Sequence, residues 1–116
     1  MKERSDLQLL DDALHFANRA HDLTGGMSLS MLKQLDHYEH ATRSYLILLG
    51  AAFGFIEPDL KRRHPQIPWN AIRGLRNRLV HAYWRVDHEI VQRIVRDDLP
   101  VLAADLKAVL AAERGP

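Results

Sequence analysis

The chain has 116 residues, 47% of them hydrophobic and 27% charged, with 16 Lys or Arg against 15 Asp or Glu and no cysteine. That length and composition describe one globular domain, over 1–116, and the lack of cysteine excludes a disulfide scaffold and a thiolate-held metal. The first residues, MKERSDLQLL, lack the apolar run of a signal peptide, so a cytoplasmic location is the expectation.

In chain order, Leu7, Leu10, Leu14 and Ala17 recur at helical spacing and predict an amphipathic helix over 5–22. TGGMS (24–28) then breaks the chain, Gly25–Gly26 reading as a turn and Ser28 standing where a helix cap belongs. From Leu29 to Ile56 one long helical pattern follows. Its second half, YLILLGAAFGFI, is too short to span a membrane and is apolar on nearly every side. Such a helix should be buried all round, either centrally or against a second subunit.

EPDLKRRHPQIP (57–68) carries three prolines and reads as a connection with at most one helical turn, its KRRH being a solvated loop. Pro68 stands where a helix can begin, with Trp69, Ile72, Leu75, Leu79 and Val80 as the apolar stripe. Asp87 is placed to cap a last helix through Ile90, Val91, Ile94 and Val95, which Pro100 must kink or restart before Leu102, Leu106, Val109 and Leu110. No segment alternates with period two. The expected fold class is all-α, a bundle of four to five helices.

Charge is spread unevenly. Residues 61–96 hold nine Lys or Arg against two acids, whereas 1–60 hold five against nine. A basic segment inside a balanced chain suggests an anionic partner, nucleic acid first and an acidic protein second. Within it, GLRNRLVHAYWRVD (74–87) concentrates the groups that bind or transfer charge. On a continuing helix Asn77 and His81 share a face that Trp84 extends, while Arg73, Arg76 and Tyr83 share another. Arg76 and His81 are about 140° apart around such a helix, so they converge at its edge or meet their symmetry mates.

Histidine transfers protons near neutral pH, and arginine offers fixed, bidentate charge to a phosphate that gains negative character during reaction. RNA carries its own nucleophile, the 2′-hydroxyl, so no metal or other cofactor is expected. The plain alternative is that Arg and His near the end of a helix complement its dipole. HYEH (37–40) spaces two histidines around Glu39 without a third ligand at metal spacing, and reads as surface histidines. His15, His21, His64 and His88 have no assignable partner in the sequence.

RNRLVH fits the R-polar-x-x-x-H pattern of HEPN domains, small helical bundles many of which are metal-independent ribonucleases. RNRLVHAYW further resembles the R-x4-H-x-Y signature of the HepT toxins, HEPN proteins paired with MntA-type minimal nucleotidyltransferase antitoxins in type VII systems. The resemblance covers the whole chain in size, helix order and the DLP at 98–100, but only the 76–83 motif is specific. It implies that Arg76 and His81 are the catalytic pair, Asn77 the supporting polar residue, and Tyr83 the tyrosine that the antitoxin modifies with AMP. It also implies a homodimer whose two motifs line one cleft, with Arg73, Arg78 and Arg85 available to RNA. The common form of the family has glycine soon after the aromatic pair; this chain has Arg85. The reading from another class is a non-catalytic HEPN module that binds a nucleotide, RNA or a partner nucleotidyltransferase.

Overall fold

Ser5 and Gln8 start the first helix by satisfying each other's backbone. In the computed structural model, which describes residues 3–115, Ser5 Oγ accepts from the Gln8 amide at 3.1 Å and Gln8 Oε1 from the Ser5 amide at 2.9 Å. Helix α1 (Asp6–Thr24) buries Leu9, Leu10, Ala13, Ala17 and Ala20. The core stripe is therefore rotated from the expected one, with Leu7 and Leu14 at its margin. Its alanines let α1 lie close against α3 and α7, its two main neighbours.

The single helix expected over 29–56 is two. Ser28 caps α2 (Leu29–Gln34), and the chain bends at Leu35 (φ −106°, ψ 57°) before α3 (Asp36–Phe55). The bend follows from packing: α2 leans on α6, whereas α3 lies between α1 and α5. Within the single chain the second half of α3 is enclosed on one side only, so it is not central. Leu46, Leu49 and Phe53 are fully enclosed, but Leu48 (44% exposed) and Phe55 (67%) face outward on one side.

Helix α4 (Pro58–Arg63) is the single short helix of the proline-rich connection. KRRH is not a solvated loop. Lys61 to Arg63 end α4, and half-buried His64 binds Glu113 at 2.6 Å beside Arg63, tying the connection to the C-terminal helix. Trp69 then anchors α5 (Trp69–His81): its indole N–H donates to the His64 carbonyl at 3.0 Å and its ring packs on Phe53 with centroids 4.8 Å apart. That contact, with Gly50 against Arg76 further along, makes α3 and α5 antiparallel neighbours.

After a 3₁₀ turn (Tyr83–Arg85), Asp87 caps α6 (His88–Arg93) by accepting from the Ile90 amide at 3.0 Å. The helical path widens into a π turn over Ile94–Asp98 before α7 (Leu99–Arg114). The amide of Leu99 reaches back five residues to Ile94, which makes room for the Pro100 ring and its missing donor. Pro100 is thus absorbed by a wide turn within one continuous rod. With α1, α3, α5 and the α6–α7 rod as the long members, the fold is the expected all-α bundle. Among the described residues every buried side-chain N or O has a hydrogen-bond partner, and no helix is long and apolar enough to cross a membrane.

Candidate functional site

Helix α5 divides its residues between core and solvent. Trp69, Leu75 and Leu79 are buried, while Arg73, Asn77, Arg78 and His81 are exposed. Arg76 lies between, half-buried where α5 crosses α3. The crossing is close because Gly50 has no side chain: a β-carbon there would overlap that of Arg76 and stand 3.2 Å from the Ile72 carbonyl oxygen. Arg76 Nη1 donates to Asn77 Oδ1 at 3.1 Å. Its guanidinium is therefore held by a neutral amide, and its charge stays available to an anion.

His81 is the last residue of α5, and Ala82 (φ −147°, ψ 52°) ends the helix. Tyr83 and Trp84 consequently do not continue the faces of Arg76 and His81, as an unbroken helix would have placed them. They ride on the 3₁₀ turn with Arg85, about two-thirds exposed, their rings edge to face with centroids 5.5 Å apart. Val86, only 2% exposed, draws the chain back into the core and closes the turn. No non-glycine residue among those described has positive φ, so Arg85 fits where glycine is the commoner choice.

Seven of the nine cations of the basic segment sort into two groups. Arg62, Arg63 and Arg96 pair with Asp59, Glu113 and Asp97. Among the described residues Arg73, Arg76, Arg78 and Arg85 have no carboxylate partner. They do not form one patch: Arg73 and Arg76 lie towards α3, whereas Arg78 faces a groove of about 540 Å³ between α5 and α7. That groove holds neither Arg76 nor His81.

Sequence reasoning missed a second polar group beneath the turn. Glu39, with 2% of its side chain exposed, accepts from Arg43 Nε at 2.7 Å and binds His88 Nδ1 through its other oxygen. Arg43 Nη2 donates to the Val86 carbonyl at 2.5 Å. These residues, with Leu79, Tyr83 and Trp84, line a groove of about 560 Å³. The i, i+4 spacing of Glu39 and Arg43 was a visible signal; the turn towards Val86 and His88 was not. In HYEH, therefore, Glu39 faces the core, while His37 and His40 are exposed. Among the described residues no three His, Asp or Glu gather at metal-ligand distance.

The family described as Ribonuclease HepT-like matches residues 13–109, a span that includes all of α5 and the 3₁₀ turn. A Methanocaldococcus jannaschii protein, MJ1380, named an RNase by inference, is 28% identical over 109 residues, covering 94% of this chain and 100% of that one. A Thermococcus cleftensis protein named "Probable ribonuclease HepT" is 40% identical over 57 residues, or 49% of this chain and 52% of the other. No solved structure matches. With an all-α bundle and a match that runs from α1 into α7, the chain belongs to the HepT-like ribonuclease family.

Proposed function

We propose that this chain is a metal-independent endoribonuclease and the toxin of a type VII toxin–antitoxin pair, with His81 and Arg76 as its catalytic residues. The observation that carries the reading is the state of Arg76: half-buried, bonded to a neutral amide, on the helix that ends at exposed His81. The other half-buried arginine next to the site, Arg43, is neutralised by Glu39. A cation without its own carboxylate, on the same helix as a proton-transfer group, is what a reacting phosphate requires.

In this mechanism His81 removes the proton of a ribose 2′-hydroxyl, and the oxygen attacks the adjacent phosphorus. Arg76 carries the negative charge that builds on the non-bridging oxygens, and Asn77 orients its guanidinium. The P–O5′ bond breaks, the departing oxygen takes a proton, and the products are a 2′,3′-cyclic phosphate and a 5′-hydroxyl. One motif supplies one histidine, whereas the reaction moves two protons. A two-fold dimer supplies the second. Leu48 and Phe55, seven residues apart on one exposed side of α3, give such a dimer an apolar surface. Arg73 and Arg85 would then meet flanking phosphates, whereas Arg78, facing the groove towards α7, could reach only RNA that continues beyond the cleft.

Control follows from Tyr83, whose phenol is 65% exposed on the turn after His81. A partner nucleotidyltransferase that adds AMP there would place a phosphodiester and a nucleoside where the RNA backbone must pass, and charge repulsion and bulk would silence the enzyme. The test is cleavage by the purified chain. His81→Ala and Arg76→Ala should each lose about two to four orders of magnitude while remaining folded. A wild-type chain that binds RNA or the partner without cutting RNA would make it a non-catalytic module instead.

A further inference from the structure

Glu39 sits in the interior, where an unpaired carboxylate is costly. Both its oxygens are engaged, one by Arg43 and the other by His88. Were the purpose only to join α3 to α6, the Glu39–His88 contact would suffice. Arg43 does something else with its remaining nitrogen: it holds the carbonyl of Val86, the residue that closes the 3₁₀ turn. Inside that turn the hydrogen bonds are short-range, Arg85 to Ala82 at 2.9 Å and Val86 to Tyr83 at 3.1 Å. They fix its shape but not its position. Position comes from the buried Val86 side chain and from Arg43.

We infer that Glu39 and Arg43 are positioning residues for the site: buried Glu39 orients Arg43, and Arg43 fixes the turn that carries Tyr83 and Trp84 and the end of α5 that carries His81. The inference rests on the catalytic reading of His81. The body of α5 is already held against α3 by Leu46, Leu49, Phe53, Leu75 and Leu79. Loss of the Arg43 contact should therefore move the turn and leave the bundle in place. The guanidinium suits the task because its planar fork reaches the carboxylate with one nitrogen and the carbonyl with another.

Arg43→Lys separates the two functions, since an ammonium still neutralises Glu39 but lacks the fork. The protein is labelled with 5-fluorotryptophan, which reports Trp84 on the turn and Trp69 in the core through separate ¹⁹F signals. In Arg43→Lys the Trp84 signal should shift or broaden while that of Trp69 stays, with Tm close to wild type. RNA cleavage should fall up to about a hundredfold, the cost of a displacement of about 1 Å, through kcat rather than KM. Glu39→Gln should act in the same direction. Wild-type kcat in a folded Arg43→Lys protein, or a Trp84 signal that does not move, overturns the inference. If Arg43→Lys moved both signals together, the contact would be general scaffolding, and the inference would also fall. A wild-type chain without cleavage ends the catalytic reading instead, and the Trp84 signal then decides alone whether Arg43 fixes the turn.

Discussion

Gly50→Ala adds one methyl group at the point where α3 meets the base of Arg76. That β-carbon would overlap Cβ of Arg76 and stand 3.0 Å from its Cγ and 3.2 Å from the Ile72 carbonyl oxygen. Non-bonded carbons settle at about 3.5–4.0 Å, so the helices must part by on the order of 1 Å. The obstacles are the root of a side chain and a backbone oxygen, neither of which can swing aside. Overpacking of this kind costs about 1–3 kcal/mol, and replacing a mid-helix glycine by alanine returns about 1 kcal/mol. Net stability should therefore fall by only about 0–2 kcal/mol. Activity should suffer more, because an Arg76 displaced by about 1 Å can cost about a hundredfold. Gly54→Ala is the control: on the same helix, its β-carbon meets nothing closer than Arg73 Nε at 3.8 Å. The assay is cleavage of a fluorophore-quencher RNA, with thermal melts of each protein. A Gly50→Ala protein as active as Gly54→Ala would refute the claim that this crossing sets Arg76.

Glu113 makes acid stability a second check. Arg63, and after it His64, lower its carboxyl from the ordinary 4.5 to about 2. Its contribution is thus full above pH 4.5 and lost as pH falls from there towards 2. Glu113→Gln should flatten that part of the Tm profile, and parallel profiles for the two proteins would contradict the assignment. Leu48→Asp, on the exposed side of α3, should turn a dimer into a monomer by light scattering and remove cleavage with it; an active monomer would sink the shared cleft. Tyr83→Phe should keep at least part of its cleavage and resist silencing by the partner nucleotidyltransferase with ATP. Mass spectrometry that finds unmodified Tyr83 in fully inhibited wild-type protein would show occlusion in place of modification.

The helices were legible where periodicity and caps agree. Ser28 and Asp87 cap as their sequence positions predict, and Leu102, Leu106, Val109 and Leu110 are all buried. The break at Leu35 was not legible, because apolar spacing persists through a bend whose cause is the different neighbours of α2 and α3. The end of α5 was hidden for a related reason. Nothing local in HAYWRV forces a stop; burial of Val86 does, and that depends on a distant core. Arg76, Asn77 and His81 could be picked out by residue type. Gly50, Arg43 and Glu39, which place them or their turn, act through contacts between helices that no linear spacing reveals.

The central claim is that His81 and Arg76 cut RNA through its own 2′-hydroxyl. The most direct measurement is the end group left on a defined single-stranded RNA by the purified protein in EDTA. Mass spectrometry should find a 2′,3′-cyclic phosphate on the 5′ fragment and a 5′-hydroxyl on the other, both absent with His81→Ala. Cleavage that stops in EDTA and returns with added metal, or that leaves a 5′-phosphate, would contradict the account.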